Sequence, residues 1–182
     1  AAEGIALATQ RYNGAEPVRE DTLKMFADAF GECGFRMEAF YPCYGMAETT
    51  LFVSGGQKKA LPKTKRLSAK ALGFHKVENK SVTQEDQKIL VGCGQAKHPE
   101  KIIITDPATR LQCATGQVGE IWVRGPNVTQ GYWNRPEETA QKYAAHLADT
   151  GEGPYLRTGD LGFVENDELY ITGRMKDMII VR

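Results

Sequence analysis

Two carboxylates sit beside glycine-rich turns in this chain. Glu48 ends the run Tyr44-Gly45-Met46-Ala47-Glu48, followed by Thr49-Thr50, and Asp160 lies between glycines in Tyr155-Leu156-Arg157-Thr158-Gly159-Asp160-Leu161-Gly162. A carboxylate next to a tight turn can ligate a hard cation such as Mg²⁺, which takes oxygen donors and keeps waters and phosphate oxygens in its shell. Tyr44 offers a flat face on which a base can stack. A carboxylate accepts hydrogen bonds on both oxygens, which suits the vicinal hydroxyls of a ribose, and acidic residues do this work in dinucleotide sites. A third segment, Tyr170-Ile171-Thr172-Gly173-Arg174-Met175-Lys176-Asp177-Met178-Ile179-Ile180, gathers two cations and an acid before an apolar run, as in a charged joint. A fourth, Asn13-Gly14-Ala15-Glu16-Pro17, is a turn leading into a helix. Taken singly, each also has an ordinary reading: a core tyrosine with a surface glutamate, an Asp-Gly turn, a solvated hairpin, and a helix-initiating loop.

The elements that must position these residues follow from periodicity. A helix is expected over Arg19–Cys33, where Glu20 and Asp21 open the first turn and Leu23, Phe26, Ala27 and Phe30 follow helical spacing up to Gly31 and Gly34. Phe35–Tyr41 reads as a strand, Pro42–Glu48 as a turn, and Thr49–Val53 as apolar and β-rich. Residues 54–88, rich in lysine and punctuated by Gly55-Gly56 and Pro62, read as a loop-rich insertion. From there on, short strands are expected at Ile89–Val91, Ile102–Thr105, Glu120–Arg124 and Glu168–Ile171, with turns at Asp106-Pro107 and Gly116-Gln117. A helix over Arg135–His146 starts with Pro136, Glu137 and Glu138. The class is α/β in the first third and mostly antiparallel β in the last half.

The 182 residues could bury about 70% of their unfolded surface, and 41% of them are hydrophobic. No run approaches the roughly 20 apolar residues of a membrane helix, and Ala1–Gln10, with Glu3 its one charge, is not expected to be a signal peptide. The 23 basic and 23 acidic residues cancel, which argues against a generic nucleic-acid binder. The charge is nonetheless uneven, with 12 basic and 5 acidic residues in 57–110. Cys33, Cys43, Cys93 and Cys113 show no metal or disulfide spacing, and read as reduced packing residues of a cytoplasmic protein. Because Ala1–Tyr12 lacks capping chemistry and Met178–Arg182 stops in a strand-like run, the chain reads as an excised piece of a longer protein.

Taken together, the order and spacing of the four segments resemble the adenylate-forming superfamily of acyl-CoA synthetases, nonribosomal-peptide adenylation domains and luciferases. Tyr-Gly-Met-Ala-Glu, Arg-Thr-Gly-Asp-Leu and Gly-Arg-Met-Lys-Asp-Met-Ile-Ile carry the resemblance, supported by Gly116–Gly125 and Gly131–Thr139. Within that superfamily the chain is most similar to the fatty acyl-AMP ligases. Asn-Gly-Ala-Glu-Pro-Val, Ala47 where most relatives have threonine, and the basic insertion after Phe52-Val53-Ser54-Gly55-Gly56 point there.

The resemblance implies part of a large N-terminal domain, with a β-barrel-like second portion. Residues 1–56 would belong to the α/β subdomain, 57–88 to the insertion, 89–173 to the β-rich subdomain, and 174–182 to a hinge and the start of a C-terminal domain. It implies an enzyme that joins ATP to a fatty acid, giving acyl-adenylate and pyrophosphate, and then serves an acyl carrier protein. ATP/AMP and Mg²⁺ are the implied cofactors. Gly14, Ala15 and Glu16 would line the adenine pocket, with Tyr44, Gly45, Met46 and Ala47 completing the nucleotide site. Glu48 would hold Mg²⁺ as a catalytic residue, Asp160 and Arg174 would meet the ribose, and Lys176 would be the hinge. Ala47 cannot supply the hydroxyl that many relatives aim at the α-phosphate. The family's phosphate loop would precede residue 1 and its catalytic lysine would follow Arg182, so these residues alone are expected not to turn over. An acyl-CoA synthetase and a non-catalytic adenylate-binding module are the competing readings. The insertion's Lys58, Lys59, Lys63, Lys65, Arg66 and Lys70 form either a docking patch for an acidic carrier protein or a solvated, mobile loop.

Overall fold

The computed structural model describes residues 11–14, 17–78, 83–97 and 99–177. Its first part is a parallel pair, β1 (Arg11–Asn13) beside β2 (Phe40–Tyr44), joined across α1 (Glu20–Phe30). Parallel neighbours need such a crossover. The acids Glu20 and Asp21 sit at the helix N-terminus, where the peptide dipoles favour negative charge. Helix α1 buries Leu23 against Phe35, Phe40 and Val91. It stops three residues short of expectation, because Gly31–Cys33 tightens into a 3₁₀ turn that Gly34 closes at φ 83°.

The strand expected at Phe35–Tyr41 begins only at Phe40, since Met37–Ala39 forms another 3₁₀ turn. Phe35 and Phe40 are both buried, but Phe35 lies in the connection between the two 3₁₀ turns and only Phe40 lies in the strand. Strand β2 runs through Pro42, where a turn was expected; Pro42 faces Asn13 at the last paired position of β1, where a missing N–H costs little. The β-rich reading of Thr49–Val53 is also corrected: Ala47–Thr49 is a 3₁₀ turn, and only β3 (Ser54–Gly55) pairs, with β2 on one side and β6 (Gln95–Ala96) on the other.

Much of the segment read as loop-rich is ordered. Strand β4 (Thr64–Ser68) pairs antiparallel with β5 (Gln87–Val91), and α2 (Ala69–Gly73) follows β4, with Ser68 Oγ accepting from the Ala71 N–H as its cap. Leu67 is fully buried with Leu90, Val118, Leu161, Phe163 and Tyr170. Lys65 pairs with Glu165, and Lys63 Nζ lies 2.8 Å from Glu168. The polar surroundings hid this strand because Leu67 is its one fully buried side chain.

The second half is a four-stranded antiparallel sheet in the order β10-β9-β8-β7, built from β7 (Lys101–Thr105), β8 (Gly119–Arg124), β9 (Leu156–Glu165) and β10 (Glu168–Arg174). Strand β9, the longest, was not anticipated. Helix α3 (Pro136–Tyr143) lies between β8 and β9 in sequence and is shorter than the expected Arg135–His146. Trp122 and Tyr155 are fully buried with Ile103 and Leu147. Tyr44, Val53, Cys93, Ile104, Ile121 and Leu169 form one cluster that joins the first sheet to the second. The α/β-then-antiparallel expectation holds, and the ladders stay open among the described residues. No described helix is long and apolar enough to cross a membrane.

Candidate functional site

Asp160 owes its position to a bulge. Strand β8 pairs Glu120 with Leu161 and Trp122 with Arg157, so Ile121 alone faces Thr158, Gly159 and Asp160. An excess of residues on one strand bends it and re-aims its side chains. The bulge is pinned at each residue. Thr158 Oγ1 donates to the Ile121 carbonyl at 2.7 Å, Gly159 N–H to Glu120 Oε1 at 3.1 Å, and Asp160 N–H to Thr158 Oγ1 at 3.0 Å. Gly159 adopts φ +75°, a left-handed conformation that glycine takes without strain. On the other side, β10 has its own irregularity between Ile171 and Gly173, which brings Arg174 opposite Asp160.

Three residues from distant parts of the chain meet there. The Tyr44 hydroxyl donates to Asp160 Oδ2 at 2.7 Å, and Arg174 Nε donates to Oδ1 at 3.1 Å. Burial, reinforced by the neighbouring Asp160 charge, holds the Tyr44 phenol far above the ordinary phenol value. Tyr44 ends β2, and Gly45 follows because a Cβ there would overlap the Leu51 carbonyl. Met46 opens the 3₁₀ turn and Ala47 is exposed in it, with Met46 O accepting from Thr49 N–H and Leu51 N–H. Thr50 and Leu51 then take φ values of 53° and 87°, a local strain held by Thr50 Oγ1 on Asn127 O and Asn127 Nδ2 on Phe52 O.

Glu48 lies on this turn, half-buried. Its Oε1 accepts from the Tyr132 hydroxyl at 2.7 Å, and its carbonyl accepts from Thr129 N–H at 2.8 Å. Burial first, and then Glu48 itself, raises the Tyr132 phenol. Among the described residues, no three His, Cys, Asp or Glu side chains are arranged to hold a metal. A single carboxylate with spare acceptor capacity beside an open cleft fits a cation that keeps phosphate and water oxygens, and does not fit one caged by protein ligands.

Tyr44, Glu48, Asp160, Arg174 and Lys176 all line one open cleft of about 1900 Å³, with Gly14 on its rim. Gly14 packs at the Cys43 side chain, where a Cβ would lie 3.1 Å from Sγ. Lys176 is exposed in the 3₁₀ turn Met175–Asp177 that follows β10. Ala15, Glu16 and the Met178–Arg182 run lie outside the described residues. Sequence reasoning missed Glu120, Arg157 and Tyr132. Glu120 is almost fully buried, and accepts from Trp122 Nε1, from Arg157 through two nitrogens and from Gly159 N–H. An acid directly before the apolar run Ile121-Trp122-Val123 is the available signal.

The family model that matches residues 5–133 is described as AMP-binding enzyme. The chain belongs to the AMP-binding enzyme family. Within that family it is 46% identical over 172 residues to the medium-chain-fatty-acid–[acyl-carrier-protein] ligase JamA of Moorena producens, covering 93% of this chain and 29% of JamA. It is 42% identical to the corresponding ligase TtuA of Teredinibacter turnerae, covering 94% of this chain and 28% of TtuA. A crystal structure of a fatty acid AMP ligase from Legionella pneumophila superposes with a TM-score of 0.87 at 47% identity, over 94% of this chain and 29% of that one. The chain thus spans less than a third of these AMP-binding relatives.

Proposed function

We propose that the protein containing these residues activates a fatty acid with ATP and hands the acyl group to an acyl carrier protein. The observation that carries this reading is the convergence of Tyr44, Glu48, Asp160 and Arg174 on one cleft. The names of the relatives JamA and TtuA give the substrate class and the carrier. A carboxylate oxygen of the fatty acid attacks the α-phosphorus, the bond to the bridging oxygen breaks, and pyrophosphate leaves. The carrier's phosphopantetheine thiol then loses its proton to solvent as its sulfur attacks the acyl carbonyl carbon, and the acyl C–O bond breaks as AMP departs with the electron pair.

In this reading Tyr44 presents its ring to the base from the end of β2, and Gly14, Ala15, Glu16, Gly45 and Met46 are the residues assigned to the same nucleotide pocket by the resemblance. Asp160 accepts from the ribose hydroxyls and Arg174 approaches the same sugar. The link from Tyr44 to Asp160 sets the base and sugar subsites at a fixed separation, so the nucleotide enters a site that is already organised. Glu48 holds Mg²⁺, which neutralises phosphate charge when bound. Ala47 offers no hydroxyl to the α-phosphate, and Lys176 serves as the hinge. The residues divide as 1–56, 57–88, 89–173 and 174–182, as the resemblance implies. The protein works in the cytoplasm, with its cysteines free.

The test uses the full-length protein with ATP, Mg²⁺ and a medium-chain fatty acid, with and without coenzyme A, read by mass spectrometry. Accumulating acyl-AMP with no coenzyme A thioester supports the proposal. Ready formation of acyl-CoA replaces it with an acyl-CoA synthetase, and no adenylate at all leaves a binding module.

A further inference from the structure

Glu48 is gripped at both ends by one short loop. Thr129 N–H donates to its carbonyl at 2.8 Å and the Tyr132 hydroxyl to its Oε1 at 2.7 Å, although the two tyrosine and glutamate positions are 84 residues apart. Tyr132 is itself braced by α3 and the residues before it. Its N–H donates to Thr139 Oγ1 at 2.9 Å, and its ring meets the Tyr143 ring edge-on at 5.5 Å. The Tyr143 hydroxyl lies 3.0 Å from Thr129 Oγ1, closing the ring of contacts. Gly131, at φ +135°, lets the loop pass where a Cβ would overlap the Thr139 side chain.

We propose that Tyr132 is a positioning residue that fixes the Glu48 carboxylate for its divalent cation, and that α3 sets the position of Tyr132. The inference rests on the reading of Glu48 as the cation-holding residue. A glutamate side chain on an exposed turn spreads over many rotamers, and a cation bound through one protein carboxylate needs that carboxylate in one place. A phenol does this without competing. It is a neutral donor, so it anchors Oε1 while leaving the carboxylate charge and Oε2 for the metal, whereas a lysine or arginine there would cancel the charge. Hydrogen bonds to metal-ligating side chains commonly govern affinity in this way.

The test measures Mn²⁺ binding to the full-length protein by electron paramagnetic resonance, in the presence of α,β-methylene ATP, which is not cleaved between the α and β phosphates. Tyr132→Phe keeps the ring and removes the donor, and should weaken Mn²⁺ by about tenfold. Glu48→Gln should weaken it at least as much, and the double variant should be no weaker than Glu48→Gln alone. Thr139→Val, which removes the acceptor for the Tyr132 N–H, should show a smaller shift in the same direction. Trp133→Ala, at a neighbouring side chain that is 90% exposed, should bind like the unaltered protein. If Tyr132→Phe binds Mn²⁺ normally while Glu48→Gln does not, Tyr132 only packs, and the proposed function stands without it. Additive losses in the double variant would overturn the inference too, since Tyr132 would then act independently of Glu48. If Glu48→Gln binds normally, the cation reading of Glu48 falls and takes the inference with it.

Discussion

The Tyr44 phenol donates to Oδ2 of Asp160 at 2.7 Å across 116 residues of sequence, while Arg174 holds Oδ1 of the same carboxylate at 3.1 Å. The two halves of the chain are thus joined at the point where the sugar and base of a nucleotide are proposed to lie. Tyr44→Phe deletes only the hydroxyl. A hydrogen bond to a charged group contributes about 1.5–3 kcal/mol, so the variant should lose stability in that range by urea denaturation. In the full-length protein it should also raise KM for ATP more than it lowers kcat, because Asp160 keeps its place on β9 but loses one of its two fixed partners.

Glu120 stands behind this contact. Its buried carboxylate serves Trp122, Arg157 and the bulge at Gly159 together. Breaking a buried pair by removing one partner costs about 3–5 kcal/mol, and Glu120→Ala is expected in that range by the same denaturation measurement. Glu152→Ala, which removes the half-exposed contacts with Lys101, Arg124 and the Tyr155 hydroxyl, should cost clearly less than Glu120→Ala, because exposed pairs are screened by water. Equal losses in the two variants would show that Glu120 is not the keystone of the bulge.

The basic segment should behave as part of the body at β4. Leu67 is fully buried there, and Leu67→Ala should destabilise by about 2–5 kcal/mol. Amide exchange across Thr64–Ser68 should be slow in the unaltered protein and fast in the variant.

Of the six cations singled out as a docking patch, four are free, among the described residues, for a carrier to meet. Lys63 and Lys65 are engaged with Glu168 and Glu165, which leaves Lys58, Lys59, Arg66 and Lys70 on the surface. Reversing the charge of Lys58, Lys59 and Lys70 should slow acylation of an acidic carrier protein by about tenfold at low ionic strength. The difference should shrink with added salt, and acyl-AMP formation should not change. An unaltered acylation rate at low salt removes the docking role.

Alkaline pH should destabilise the protein through its buried phenols. Burial raises the phenols of Tyr44, Tyr132 and Tyr170 above the ordinary value of 10.0, the last to about 12. Below 10 the folded and unfolded chains both keep these protons. Above it the unfolded chain releases them while the folded chain holds on, so stability is present below pH 10 and is lost as pH rises through the folded values. Urea denaturation below pH 10 and near pH 12 should show this fall, and Tyr44→Phe should make it shallower.

How much of this was legible in the sequence depended on range. Helix α1 announced itself through local signals, from Glu20 and Asp21 at its start to Gly34 at its close. Asp160, Arg174, Tyr44 and Glu48 could be singled out by type and by resemblance. That Arg174 faces Asp160 could not, because it depends on two ladder irregularities, at Thr158–Asp160 and near Thr172, that have no local marker. Strand β2 begins later than its local signal suggests because the apolar residues of Phe35–Tyr41 are divided between a connection, a 3₁₀ turn and the strand. Strand β4 went unseen because its pairing with β5 is set by residues some twenty positions away and only Leu67 shows an inward face. Tyr132 lies within the stretch Gly131–Thr139 that supports the resemblance, yet its contact with Glu48 arises only when the loop before α3 folds back onto the turn after β2.

The two tryptophans occupy opposite optical environments. Trp122 is fully buried under the Arg157 guanidinium, 5.7 Å from its ring, while Trp133 is 90% exposed one residue from Tyr132. Their emission therefore separates with a soluble quencher such as iodide, which silences Trp133 and spares Trp122. The quenchable component reports on the loop that grips Glu48, and the protected one on the sheet that carries Asp160. A nucleotide or cation titration of the full-length protein, with tryptophans outside these residues replaced by phenylalanine, followed in both components distinguishes a local closure at the loop from a rearrangement of the sheet.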